Sequence, residues 1–202
     1  MIIECLPIGL LGSNCYIVGH NNEGVIIDPG VETDSVMNLV EERGLKIKYI
    51  VLTHGHIDHI CYVDELRKRT GAKVIIHESD ADKLLNPIQN CSLFILGYGK
   101  TFNAADVLVK DGDRFDAGGL DFEVIHTPGH TSGGICIKLQ DNIFTGDTLF
   151  RMGRGRTDLG DGSEDALMTS IARLLKYDDS VTAYPGHNGK TTIGYEKISN
   201  LY

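Results

Sequence analysis

The densest chemistry in the 202-residue chain lies in Thr53-His54-Gly55-His56-Ile57-Asp58-His59. Three His and one Asp in an HxHxDH pattern arise by chance roughly once in a thousand chains of this composition. Core packing does not account for the run, because imidazoles and a carboxylate at this density are costly to bury unpaired. It follows an apolar segment and enters a helical one, so it occupies the loop at a strand's C-terminal end. There His54 and His56 can converge on one point, while Asp58 and His59 face a second point nearby. Imidazole and carboxylate donors in this mix suit Zn(II), Fe(II) or Mn(II) better than Ca(II) or Cu(I).

Three later segments repeat the theme. Thr127-Pro128-Gly129-His130 puts a His in a strand-to-turn corner, Phe144-Thr145-Gly146-Asp147 ends a strand with an Asp, and Tyr184-Pro185-Gly186-His187 ends another with a His. Each candidate adjoins a Gly that permits a tight corner. Seven donors exceed what one tetrahedral ion uses. Two cations are therefore the economical reading, with Asp147 bridging them.

The elements that must position these residues follow from periodicity. Alternation in 14–18 and 25–27 around a turn-rich 20–24 predicts a hairpin. Thr33 or Asp34 is placed to cap a helix with Val36, Leu39 and Val40 on one face and Gly44 past its end. A buried strand is expected over 47–52, a helix from Asp58 to Arg69 with Gly71 as its stop, and a strand at 74–76 before a short helix capped by Ser79. The pattern fades from Pro87 to Ala105. Beyond it, strands are predicted at 107–109, 122–125, 135–137, 143–144 and 181–184. Ser163 is expected to cap a helix with Leu167, Ile171 and Leu174 inward, and a last helix should cover 193–201. Two successive β-rich halves, each with helices, predict a four-layer αββα sandwich, an α/β fold in one domain over 1–202.

HxHxDH followed by His130, Asp147 and His187 resembles the metallo-β-lactamase superfamily, and the likeness covers nearly the whole chain. Asn14-Cys15-Tyr16, Ile27-Asp28-Pro29-Gly30, Thr145-Gly146-Asp147-Thr148-Leu149-Phe150 and Pro185-Gly186-His187 carry it further. The spelling is most similar to the hydroxyacylglutathione hydrolase (glyoxalase II) branch in its short single-domain form. That resemblance implies one metal site of His54, His56 and His130 and a second of Asp58, His59 and His187. It also implies Asp147 as the bridge and Asp28 supporting the ligands from behind. The implied cofactors are two divalent ions, Zn2+ foremost, with Fe or Mn as alternatives. The implied reaction is hydrolysis of a small acyl thioester by a metal-bridging hydroxide, with Asp58 and Asp147 as the catalytic carboxylates. The alternative on the same scaffold is a mononuclear-iron persulfide dioxygenase, whose iron would take the equivalents of His54, His130 and Asp147. Gly153-Arg154-Gly155-Arg156-Thr157-Asp158 is similar to a segment found in both groups.

Composition narrows the partners. Nineteen Lys plus Arg against 28 Asp plus Glu give a net charge of −9, which argues against a sequence-independent nucleic-acid binder. No apolar run approaches the roughly 18–20 residues of a membrane span. Glu4 stands where an export signal needs cations, and five widely spaced cysteines with no CxxC pair suit a reduced cytoplasm. A small-molecule substrate in the cytoplasm is therefore expected, with the oligomeric state open. Arg154 and Arg156, with Arg151, are candidate contacts for an anionic substrate tail, and Tyr98 is a candidate lid. His20 is read as surface, His77 as a satisfied edge histidine, Cys61 as a buried small side chain, and His126 as a neighbour that could back His130.

Overall fold

Alternation along the strands decides which layer each residue enters. The computed structural model describes residues 1–199. A first six-stranded sheet runs in chain order through β1 (Ile2–Leu6), β2 (Cys15–His20), β3 (Glu23–Ile27), β4 (Lys46–Val51), β5 (Lys73–His77) and β6 (Val107–Val109). The second half supplies β7 (Arg114–Ala117), β8 (Leu120–His126), β9 (Ile135–Leu139), β10 (Asn142–Gly146), the two-stranded ribbon β11 (Leu149–Phe150) and β12 (Gly153–Arg154), then β13 (Thr182–Pro185) and β14 (Thr191–Thr192). Its six-stranded sheet has the order β14-β13-β10-β9-β8-β7.

Tyr16, Val18, Val25, Ile27, Val51 and Ile75 form one apolar cluster with Phe122, Val124, Ile137 and Phe144, the layer between the two sheets. Their alternates Ile17, Ile26, Ile50 and Ile76 pack on the outer face against α1 (Thr33–Glu42), α2 (Ile57–Ile60) and α3 (Val63–Thr70). After the short α4 (Ser92–Leu96), α5 (Glu164–Leu174) and α6 (Ile193–Ser199) cover the outer face of the second sheet at Ile125, Cys136, Ile143 and Ala183. The order is αββα, as the periodicity predicts. Fully buried Phe122 and Phe144 are each worth about 3–5 kcal/mol against truncation to Ala.

The helix expected from Asp58 to Arg69 is two helices, broken at Cys61 and Tyr62. In a continuous helix the Tyr62 amide would bond the Asp58 carbonyl. Instead that amide donates to Pro29 O at 3.0 Å, and the Asp58 carbonyl accepts from Ser13 Oγ at 2.7 Å. Tertiary partners outbid the local ladder there, and the break turns Asp58 and His59 toward the site. Thr33 begins α1 rather than capping it, and its hydroxyl donates to Glu65 Oε2. Ser79 is not a cap either, since its amide donates to His77 Nδ1 at the head of a 3-10 run over Glu78–Leu85. Ser163 does cap α5, accepting from the Ala166 amide. Of the terminal helix expected over 193–201, Asn200 and Leu201 lie outside the described residues.

Strand direction gathers the site. β3 and β4 are parallel, as are β10 and β13. β8 is antiparallel to β9, which is antiparallel to β10, so β8 and β10 also run the same way. The segments following these five strands carry Asp28, the 53–59 run, His130, Asp147 and His187 out at one edge of the sandwich. No helix among the described residues is long and apolar enough to cross a membrane.

Candidate metal centre

Seven side chains converge at that edge. One donor atom each from His54, His56 and His130 lie within 4.8 Å of one another, and so do those of Asp58, His59 and His187. A third such set, His54, His59 and Asp147, joins the two. His56 Nδ1 stands 2.9 Å from His130 Nε2, and His59 Nε2 stands 3.3 Å from His187 Nε2. Asp147 reaches both sides, with Oδ2 at 3.5 Å from His130 Nε2 and at 3.6 Å from His187 Nε2. The chain backbone is drawn close here: a Cβ on Gly186 would fall 2.3 Å from Asp147 Oδ1 and 2.7 Å from His59 Cε1. Glycine is required at 186 by that approach alone.

The far side of each ring is engaged. His59 Nδ1 donates to Asp28 Oδ2 at 2.9 Å. Thr53 Oγ1 also donates to Asp28 Oδ2, at 2.7 Å, and lies 3.2 Å from His54 Nδ1. His130 Nδ1 donates to the Arg156 carbonyl at 2.7 Å. Such partners fix the tautomer and aim the opposite nitrogen into the cluster. Two of the inward atoms, His54 Nε2 and Asp147 Oδ1, are buried with no hydrogen-bond partner. Buried polar atoms are rarely left so. Donor type and these orphaned atoms together fit divalent cations.

Electrostatics agree. Burial, reinforced by neighbouring rings, pushes His54 well below the ordinary imidazole range and takes His56 down to about 3. Both rings are therefore neutral and have a lone pair to give. His59 goes the other way: burial opposes its charge, but the carboxylates of Asp147, Asp58 and Asp28 prevail and raise it to about 10. Asp58, despite burial, is held below the usual carboxylate range by His59 and His187. A cation seated on these donors takes the place of a proton on His59.

A cavity of about 520 Å³ opens over the cluster, bounded by His56, Asp58, His130, Asp147 and His187 on its floor. Arg154 and Arg156 stand at its mouth. Arg154 pairs with Glu164 at 2.6 Å and Arg156 with Asp158 at 2.6 Å. Tyr98, expected as a lid, instead lines a separate groove with Ile8, Leu10, Cys61 and Tyr62. The chain turns at Gly97, whose φ of 76° ends α4 and carries Tyr98 to that other face. Cys61 is half-buried, with its thiol 3.8 Å from Lys100 Nζ. His77 is buried and stacks on His126 with centroids 4.0 Å apart. His126 does not back His130: its Nε2 bonds the Ser132 carbonyl.

Sequence reasoning missed Asp80. Its fully buried carboxylate accepts from the amides of Gly55 and Gly133, at 2.9 and 2.8 Å, and from Thr131 Oγ1 at 2.8 Å. It thus ties the loop of His54 and His56 to the loop of His130. Lys83 Nζ lies 3.4 Å from Asp80 and 2.7 Å from Asp161, whose carboxylate also binds Ser132. The Asn14-Cys15-Tyr16 segment carries the family likeness, and the structure gives it a task. Asn14 Nδ2 donates to the carbonyls of Pro185 and Asn188, and Tyr16 Oη to that of Pro185, so they clamp the loop bearing His187.

Residues 8–187 match the metallo-beta-lactamase superfamily domain. Hydroxyacylglutathione hydrolase GloC of Haemophilus influenzae is 35% identical over 208 residues, covering 100% of this chain and 98% of its own length. Among solved structures, BLEG-1 B3 metallo-beta-lactamase superposes with a TM-score of 0.94 at 32% identity, covering 99% of this chain and 98% of its own. TTHA1623, crystallised in a di-iron-bound form, superposes with a TM-score of 0.85 at 30% identity and 98% coverage of both chains.

Proposed function

The chain belongs to the metallo-beta-lactamase superfamily, and on that premise we propose that it is a dinuclear metal-dependent hydrolase of small acyl thioesters acting as one domain. The observation that carries this reading is the pair of donor triads, His54/His56/His130 and Asp58/His59/His187, with Asp147 between them. When bound, two divalent cations supply an acidified water as nucleophile and a Lewis acid for the substrate carbonyl.

The chain's own residues do the rest. His54, His56 and His130 would hold one cation and Asp58, His59 and His187 the other, with Asp147 within reach of both triads. Asp28 keeps His59 and, through Thr53, His54 turned inward. Asp58 is held as an anion, so it would accept a hydrogen bond from a water at the cluster and orient it. Outside the donor set, the only described lining side chains with a proton to give are Cys91, Arg154 and Arg156. Burial raises the Cys91 thiol, and both guanidiniums are paired. A leaving group that departs without protonation suits such a site, and a thiolate does so where an amine does not.

The test joins metal analysis, on protein purified without added metal, to a substrate panel. About two ions per chain and turnover of acyl thioesters are expected. Asp147→Ala should lose turnover and metal together while its circular dichroism spectrum is kept. One iron per chain with oxygen uptake on a persulfide would move the assignment to a dioxygenase. Turnover of β-lactams with thioesters untouched would move it to a lactamase, the activity for which BLEG-1 is named.

A further inference from the structure

Beyond the donors and two arginines, the cavity above the cluster has a mostly apolar wall. Leu11, Phe94, Ile95, Phe150 and Leu159 line it. Two of them are held out in the open rather than packed: Phe94 is 73% exposed and Leu11 64% exposed. Large apolar side chains on a cavity rim cost solvation unless something covers them.

Both are fixed in place. Leu11 sits at φ 56°, a left-handed backbone uncommon for a residue with a branched side chain. A short turn from the Gly12 amide to the Gly9 carbonyl at 2.9 Å and a tertiary bond from the Leu10 amide to the Gly30 carbonyl at 3.2 Å hold it there. Strain kept at a cavity mouth is a mark of use. Phe94 rides on α4, and the segment before it is tied to the metal loop, because the Asn90 carbonyl accepts the Ile57 amide at 2.8 Å. Asn90 also bonds the Ser92 amide and the Lys100 carbonyl through its side chain. Phe94 thus keeps a set distance from the donors.

Charge at the mouth cancels. The cations among the lining residues outside the donor set are Arg154 and Arg156, and Glu164 and Asp158 neutralise them, the latter through two hydrogen bonds of 2.6 and 2.7 Å. A peptide thiol with two carboxylates would have to displace both acids to find a counter-charge. An uncharged chain has only apolar surface to cover and breaks no ion pair.

We infer that the site selects its thioester by an apolar, uncharged acyl chain laid across Phe94 and Leu11, with the carbonyl at the donor cluster. This rests on the thioester-hydrolase reading above and names the substrate class within it. The hydrolysis balances as thioester plus water giving carboxylic acid plus thiol, with no further reactant.

The experiment compares acetyl, butanoyl and hexanoyl thioesters of one small neutral thiol, N-acetylcysteamine, with the same acyl groups on glutathione. With N-acetylcysteamine, kcat/KM should rise about two- to fourfold per added methylene, the range set by partial to full burial of each group. Phe94→Ala removes an exposed ring and leaves the core intact, and it should reduce that slope by at least half. Glutathione should add nothing over the neutral thiol at equal acyl length. A flat or falling acyl series, or a clear preference for the glutathione thioesters, overturns the inference while leaving the hydrolase reading intact. Calorimetric binding of hexanoate against acetate supplies a readout that needs no turnover. Tighter hexanoate binding that weakens in Phe94→Ala supports the apolar wall; the same binding with no thioester turned over would keep the wall but overturn the hydrolase reading and the thioester selectivity that rests on it. Equal binding of the two acids overturns the inference.

Discussion

Two buried carboxylates back the metal centre from opposite flanks, and they do so by different means. Asp28 touches a donor ring: its Oδ2 accepts from His59 Nδ1 and from Thr53 Oγ1, which in turn lies against His54. Asp80 touches no ring. It holds the amides of Gly55 and Gly133 and the Thr131 hydroxyl, so it sets where the loops run. Asp28 therefore acts on the basicity and aim of a ligand, besides accepting the Thr53 amide at 2.7 Å, while Asp80 acts on the spacing of ligand-bearing backbone alone. Asp28 pairs with the donor ring of His59 itself, whereas Asp80 is continued by Lys83 and Asp161 to the surface. The flank that tunes a ligand is closed off, and the flank that positions loops is braced by an ion-paired chain.

Asp28→Asn should produce the largest difference between the flanks. It removes the anion behind His59 and should weaken metal affinity by about 10- to 100-fold, the usual range for a partner of a ligating histidine. Chelator competition followed by elemental analysis measures it, and metal on the His59 side of the cluster should leave first. Unchanged affinity would break the distinction drawn here.

Asp80→Asn should act on stability before affinity. Three hydrogen bonds to a charged acceptor are weakened, and an amide group is pointed at backbone N–H groups. The expected cost is about 1.5–3 kcal/mol, seen as a lower melting temperature of roughly 2–4 °C per kcal/mol for a chain of this size. Metal affinity should fall by less than about tenfold. If this variant loses more metal affinity than Asp28→Asn, the division between tuning and positioning is wrong.

The smallest effect belongs to the outer end of the Asp80 chain. Burial works against Asp161, but Lys83 and Ser132 outweigh it and hold its carboxyl down to about 2. A depressed acid stabilises the fold above its unfolded pKa and loses that contribution as pH falls toward the folded value. Acid titration of thermal stability should therefore steepen between about pH 4 and 2 in the wild type and less so in Asp161→Asn. The carboxylate is more than a third exposed, so solvent screening keeps the difference small. Identical acid profiles would remove Asp161 from the brace.

The donors were legible because four of them crowd into HxHxDH and because His130, Asp147 and His187 each follow a glycine, local patterns that survive without knowledge of the fold. The sandwich was legible for the same reason: period-two alternation in β2 to β5 and β8 to β10 assigns each residue to a layer. Asp80 was not legible. It is one of three acids in Glu78-Ser79-Asp80-Ala81-Asp82, and only the fold brings it against Gly55 and Gly133. The break between α2 and α3 was hidden too, since its cause is the Pro29 carbonyl and the Ser13 hydroxyl, far away in sequence. Short polar strands such as β7, Arg-Phe-Asp-Ala, carry too little alternation to be seen, although Phe115 stacks on Phe122 there. The 87–105 segment owes its order to the Asn90 and Ser92 side chains rather than to any period.

His59 and His187 face each other across 128 residues of chain. During synthesis the first four donors leave the ribosome long before the last one, and the second triad is incomplete until β13 has been made and paired. Metal loading is therefore a late event in the life of each molecule. Until then a nascent chain displays three histidines and an aspartate as a half-built chelator, open to whichever ion the surroundings offer.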